Sequence, residues 1–122
     1  MKFRIVASLT AGICMILFVI LLVLPDTYVS TYGVTPDAGS GFMVRRASPM
    51  FGGFALMLWL ARNAPPSQVR MALAYGVAVS FAGVALTGVF AFATGTAGPM
   101  ILAAAFGETL IAGLLVSASR AR

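Results

Sequence analysis

Four long apolar segments alternate with short polar segments along the chain. They predict membrane spans at about residues 5–24, 42–61, 70–93 and 100–118. A membrane-spanning helix needs about 20 residues, so a chain of 122 residues has room for four spans and short loops. We therefore expect an all-α membrane protein, a single domain over residues 1–122 folded as an up-down bundle of four transmembrane helices.

The first segment also admits a second interpretation, a cleaved signal peptide, because Lys2 and Arg4 precede it. Residues 5–24 are uncharged and exceed the usual length of a signal-peptide core, and no pair of small residues follows at cleavage spacing. We therefore expect a retained span. The segment after it, residues 26–41, is expected to be a loop in which Gly39 and Gly41 mark turns.

The second segment is the least regular of the four. Its uninterrupted apolar part covers only residues 50–61, so a full span must extend back through Pro49 and the pair Arg45-Arg46. Pro49 and Gly52-Gly53 predict a kink or a close helix contact at this point.

Composition supports the membrane class and limits the chemistry. Hydrophobic residues make up 61% of the chain and charged residues 9%, with a mean hydropathy of +1.02. Soluble domains average about 25% charged residues. With one cysteine and no histidine, a disulfide, a zinc site or a haem site is not expected. No catalytic triad, phosphate loop or dinucleotide motif occurs, so we expect no cofactor and no enzyme activity.

The basic residues predict the orientation. In the four-span arrangement six of the eight basic residues fall on one side of the membrane, whereas the opposite loops have no Lys or Arg; the six are Lys2, Arg4, Arg62, Arg70, Arg120 and Arg122. The positive-inside rule then puts both termini in the cytoplasm. We expect a multi-pass protein of a bacterial inner membrane. Because the net charge of +5 is concentrated at span ends, it does not indicate nucleic-acid binding.

Glu108 is the residue that most needs an explanation, since it lies inside the fourth apolar segment. A carboxylate at mid-span costs roughly 2.5–3.5 kcal/mol on insertion scales. Arg45 and Arg46 start about 5–6 Å below the outer end of the second span, and Glu108 lies about 12 Å below the outer end of the fourth. An extended arginine covers that gap. These three residues are therefore a candidate buried polar centre, with Arg46 slightly favoured as the partner of Glu108. The centre has two interpretations, a static ion pair or a binding site for a ligand, a lipid headgroup or a proton.

Small residues predict how the helices pack. The candidate close-packing positions are Gly52, Gly53, Gly76, Gly83 and Gly107. Small residues spaced four apart let membrane helices approach closely. Most of these contacts are expected within the bundle, and the rest in an oligomer.

Three functions are consistent with these features. The first is an accessory or structural subunit, or a scaffold, in a membrane assembly, whose partners are membrane lipid and a protein partner or a second copy within the bilayer. The second is a small proton- or cation-coupled transporter that uses Glu108. This chain resembles the small multidrug transporters in its number of spans. Their essential glutamate, however, lies in the first span, which is uncharged here. The third is a lipid- or small-ligand-binding membrane protein built on the arginine pair.

Several short motifs, spread over most of the chain, resemble those of a known family. They are the segment Tyr32-Gly33-Val34-Thr35-Pro36-Asp37, Arg46 with Gly52-Gly53, and Glu108. In these the chain resembles an uncharacterised bacterial family of small four-helix integral membrane proteins. The resemblance implies the four-span topology and no activity.

Overall fold

The computed structural model describes residues 2–121. These residues form five helices and no strand: α1 (Phe3–Val23), α2 (Pro25–Thr31), α3 (Ala38–Ala61), α4 (Gln68–Ala93) and α5 (Met100–Arg120). By length and composition α1, α4 and α5 are suited to cross a membrane, which indicates a multi-pass membrane protein. The predicted all-α class is therefore confirmed, with three candidate spans. The helix α3, which covers the predicted second span, is not among the three.

The long helices pack as two close pairs. Helix α1 packs along α3, and α4 packs along α5, whereas the contacts of α1 with α5 and of α3 with α4 are slighter. Helices α3 and α5 consequently lie on a diagonal of the bundle. The core between the pairs is formed by small and apolar side chains, including Cys14, Leu58, Val77, Phe81 and Leu115.

The outer surface of the bundle is apolar. Large side chains there are widely exposed, such as Leu86 at 71% and Phe106 at 73%. An apolar surface of this extent is typical of a protein that contacts other apolar groups, either lipid or protein.

The short helix α2 lies in the segment predicted to be a loop. Pro25 occupies its first turn and Asp26 follows, an arrangement that suits the fixed backbone of proline and the positive end of the helix dipole. Pro25 and Val29 are buried, which fixes α2 against the long helices.

Helix α3 begins earlier than the predicted second span. The Asp37 side chain accepts a hydrogen bond from the Ser40 N–H at 2.7 Å, and the Ser40 hydroxyl accepts one from the Asp37 N–H at 3.0 Å. This reciprocal capping box starts the helix. Gly39 and Gly41 therefore lie inside α3, and the prediction that they mark turns is wrong.

Helix α3 continues through Pro49 without a break. Proline cannot donate the hydrogen bond that the Arg45 carbonyl would otherwise receive. The Ser48 hydroxyl donates to that carbonyl instead, at 2.7 Å. Ser48 is fully buried, so the free carbonyl is satisfied in a place that water does not reach.

The turn after α2 is joined to the turn between α4 and α5. Gly33 has a φ of +76°, which favours glycine. The Gly98 N–H donates to the Tyr32 carbonyl at 2.7 Å. A Cβ on Gly33 would lie 3.1 Å from the Gly98 nitrogen, so the two backbones approach too closely there for a side chain.

Candidate functional sites at the two ends of the bundle

The bundle has two chemically different ends. We call the end formed by the starts of α1 and α4 and the ends of α3 and α5 the basic end. The other end contains α2 and the start of α3, and we call it the mixed end because it holds both acidic and basic side chains.

Arg45 and Arg46 are exposed side chains at the mixed end. The Arg45 Nε donates to the Leu22 carbonyl at 3.2 Å, one of the carbonyls in the last turn of α1 that has no helical partner. The Arg46 guanidinium lies 5.7 Å from the centre of the Phe42 ring. Arg45 thus caps α1, and Arg46 lies against its own helix.

The structure does not bring Arg45 or Arg46 to Glu108. No ion pair joins either arginine to Glu108 among residues 2–121, because α3 packs on α1 while α5 packs on α4. The expectation that Arg45 or Arg46 forms an ion pair with Glu108 is thus corrected: neither arginine does so among residues 2–121. Depth along the membrane normal gives the height of each residue, but it does not say which helices are neighbours.

Glu108 is half-buried and lies near the two tyrosines associated with α2. The rings of Tyr28 and Tyr32 meet edge to face at 5.1 Å. Burial raises the pKa of the Tyr28 phenol to about 12, and the charges of Tyr32 and Glu108 add to the rise. Burial and Glu108 also raise the pKa of Tyr32. Both phenols therefore keep their protons at neutral pH.

A groove of about 780 Å³ opens at the mixed end. Its charged lining residues are Asp26, Asp37, Arg45 and Arg46, and the rest of the lining comes from the end of α1 and the starts of α2 and α3. With two carboxylates and two guanidinium groups around it, this groove has no dominant sign of charge.

Arg70 is the buried arginine of the structure, with 6% of its surface exposed. Its Nη2 donates to the carbonyls of Ser119 at 3.1 Å and Ala121 at 2.6 Å, and its Nη1 donates to the Ala64 carbonyl at 3.2 Å. Its guanidinium also lies 4.6 Å from the centre of the Phe3 ring. One side chain therefore joins α1, the loop before α4 and the end of α5.

From the sequence, Arg70 was predicted only to orient the chain in the membrane. A signal was nevertheless present, because a cation in the first turn of a helix opposes the helix dipole. The antiparallel neighbour α5 ends at this level, and its terminal carbonyls are the negative end of a dipole. Arg70 is unfavourably placed for its own helix and favourably placed for the next.

A groove of about 580 Å³ lies beside Arg70 at the basic end. Four cationic side chains line it, and no carboxylate side chain does; they are Lys2, Arg4, Arg62 and Arg70. The side chains that line this groove are therefore positively charged on balance, whereas the charges around the groove at the mixed end offset one another.

The predicted close-packing glycines have different surroundings. A Cβ on Gly52 would lie 3.3 Å from the Phe18 ring, so Gly52 permits close packing of α1 and α3. Gly53, Gly76, Gly83 and Gly107 have no such neighbour within 4 Å among residues 2–121. A close approach that the sequence analysis missed occurs at Gly88, where a Cβ would lie 3.1 Å from the Ile101 side chain.

Comparison with known families, with curated proteins and with solved structures found no match. Residues 2–121 contain no group of three or more His, Cys, Asp or Glu side chains placed to hold a metal ion. The function must therefore be argued from the two ends of the bundle and from its apolar surface.

Proposed function

We propose that this chain is an accessory or structural subunit of a membrane assembly and that it spans the membrane four times. In this proposal α3 is the additional span. Its 24 residues extend about 36 Å, enough to cross a hydrocarbon core of about 30 Å.

Geometry supports the fourth span. The Phe3 ring contacts the guanidinium of Arg70, so α1 and α4 start at the same end of the bundle. Between them the chain must return from the far end of α1 to the start of α4, and α3 makes that return alongside α1. If α1 and α4 cross the bilayer, α3 crosses it as well.

The two arginines of α3 are compatible with a span. They lie in its third turn, about 10–12 Å from its first residue, and long cationic side chains extend from there toward the headgroups. Arg45 also has a carbonyl partner. The basic residues at the opposite end support a cytoplasmic location for that end under the positive-inside rule, in a bacterial inner membrane.

The observation that carries the subunit function is the outward face of α4. Gly76 and Gly83 lie two turns apart on it, and Val79 between them is 71% exposed. Neither glycine is used for packing within residues 2–121. Small residues of this kind let a neighbouring membrane helix approach closely, so this face suits a helix of a protein partner or of a second copy.

A matched pair of substitutions tests this function. Purification in a mild detergent followed by mass spectrometry should recover a second membrane protein, or a dimer, with the unaltered chain. Gly83→Leu should abolish the recovery, whereas Gly53→Leu on the exposed part of α3 should retain it. Recovery of the unaltered chain as a monomer would contradict the proposal.

A second candidate is a small proton- or cation-coupled transporter, which the position of Glu108 favours. This carboxylate lies inside a candidate span, close to two neutral phenols and without an ion pair among residues 2–121. Uptake of an organic cation into proteoliposomes under a proton gradient would test it. The transporter requires uptake that Glu108→Gln abolishes and Asp37→Asn retains. Equal uptake by the unaltered chain and by Glu108→Gln would exclude coupling through Glu108.

A further inference from the structure

The groove at the basic end is positively charged and lacks acidic side chains to balance it. Lys2, Arg4 and Arg62 surround it, and Arg70 forms part of its wall. All three acidic side chains of the chain, Asp26, Asp37 and Glu108, belong to segments outside its lining. The positive charges concentrated here therefore favour an anionic ligand from outside the chain.

Arg70 gives this groove a fixed cation. The side chain is 6% exposed, and its partners are neutral carbonyls and an aromatic ring. Its Nε is buried and has no hydrogen-bond partner among residues 2–121. A buried cation is costly when no carboxylate lies beside it, as is the case for Arg70 among residues 2–121, and an anion in the groove would lower that cost.

The position of the groove indicates which anion it accepts. Trp59 and Arg62 lie at the same end, with the guanidinium 3.8 Å from the centre of the indole ring. Tryptophan and arginine are typical of the headgroup level of a bilayer. The groove is thus at the depth where lipid phosphates lie.

A second, apolar groove lies about one helical turn from the basic one, toward the middle of the bundle. It has a volume of about 350 Å³ and runs between α1 and α3, along Ser8, Gly12 and Met15 on one side and Ala55 and Trp59 on the other. Ser8 lies one helical turn beyond Arg4, and Trp59 lies one turn beyond Arg62. The charged groove therefore lies next to an apolar groove that could hold an acyl chain.

We propose that these two grooves form one binding site for an anionic phospholipid. The phosphate lies among Lys2, Arg4, Arg62 and Arg70, and an acyl chain lies between α1 and α3. The site recognises the charge of the phosphate together with the acyl chain of the same lipid. Free phosphate offers the first feature without the second, so it should bind far more weakly.

Native mass spectrometry of the full chain tests the site. The protein in detergent would be titrated with phosphatidylglycerol, with phosphatidylcholine and with inorganic phosphate. Phosphatidylglycerol should bind at least tenfold more tightly than phosphatidylcholine. Each basic side chain near a membrane surface contributes about 1 kcal/mol toward anionic lipid, so Arg4→Gln should weaken phosphatidylglycerol binding about fivefold.

Two matched controls distinguish a site from a general charge effect. Arg120→Gln removes the same charge at the same end, but Arg120 does not line the basic groove, and it should change the affinity less than about twofold. Gly12→Leu places a side chain in the apolar groove and should weaken lipid binding, whereas Gly113→Leu on α5 should not.

Three results would overturn the proposal. These are equal affinity for the two lipids, equal losses with Arg4→Gln and Arg120→Gln, and displacement of bound phosphatidylglycerol by millimolar inorganic phosphate. The last result would identify a phosphate site that does not need a lipid.

Discussion

The two ends of this bundle use arginine in opposite ways. At the basic end Arg70 is buried and joins three parts of the chain through carbonyls and an aromatic ring. At the mixed end Arg45 and Arg46 are exposed, and each contacts one neighbouring feature. The difference teaches that the carbonyl oxygens at helix ends can supply a buried arginine with hydrogen-bond acceptors where no acidic side chain is near.

The largest expected effect is at the basic end. Arg70→Met keeps an unbranched side chain of similar length but leaves the last carbonyls of α5 without their donor. We expect a loss of about 3 kcal/mol in the free energy of unfolding, measured by chemical denaturation in detergent micelles. Arg45→Met at the mixed end should lose much less. Similar losses of unfolding free energy for the two variants would contradict the difference between the buried Arg70 and the exposed Arg45.

Packing between α1 and α3 should be the next most sensitive feature. Gly52→Val places two methyl groups against the Phe18 ring and should cost about 2 kcal/mol through overpacking. Gly53→Val makes the same change where no neighbour lies within 4 Å. Thermal unfolding of the two variants separates these cases. A larger loss at Gly53 would mean that this face of α3 is covered by a contact that α1 does not provide.

A neutral hydroxyl should matter more to α3 than its charged neighbours do. Ser48→Ala removes the donor to the Arg45 carbonyl and leaves a buried acceptor unpaired, at a cost of about 1–2 kcal/mol. Ser80→Ala is the control, because the Ser80 hydroxyl bonds to the Gly76 carbonyl in an exposed part of α4. Denaturation of both variants is the measurement. An equal loss would indicate that the Arg45 carbonyl, which Pro49 leaves without a donor, does not depend on the Ser48 hydroxyl.

The smallest effect concerns the ionisation of Tyr28. Its pKa is raised to about 12, so the protonated phenol is the form that the folded state favours. The contribution of the Tyr28 ionisation to the free energy of unfolding is fully present below the ordinary tyrosine pKa of about 10. It is lost as the pH rises from there toward 12. Glu108→Gln should lower this pKa, because the Glu108 charge contributes to the rise.

Ultraviolet titration of the phenolate measures that shift. Asp26→Asn removes an exposed charge from the same short helix as Tyr28 and should leave the titration nearly unchanged. If Asp26→Asn shifts the curve as much as Glu108→Gln does, then Glu108 is not the carboxylate that Tyr28 senses.

The lengths of the apolar segments predicted the long helices well, because composition and length are enough to recognise a long apolar helix. The predicted segment 70–93 agrees closely with α4 (Gln68–Ala93). The start of α3 was missed since the capping pair Asp37 and Ser40 precedes the apolar run. Helix α2 was missed because a helix of seven residues has no clear period.

The contacts between helices were much harder to predict. The rise per residue along a helix gives the depth of each side chain in the membrane, and it placed Glu108 and Arg46 at compatible depths. Rotation and neighbour order depend instead on local shape, such as Gly52 against Phe18. The position of Arg70 in the first turn of α4 was a signal, but its carbonyl partners depend on which helix ends lie beside it, and that order is not visible in the sequence.

Two double-mutant cycles, measured in parallel by unfolding in detergent, test the central contrast most directly. One combines Arg70→Met with Phe3→Leu, and the other combines Arg46→Ala with Glu108→Ala. The structure predicts a coupling of about 0.5–1 kcal/mol or more for Arg70 and Phe3. It predicts additive losses for Arg46 and Glu108. A strong coupling between Arg46 and Glu108, together with additivity for Arg70 and Phe3, would contradict the account of both ends.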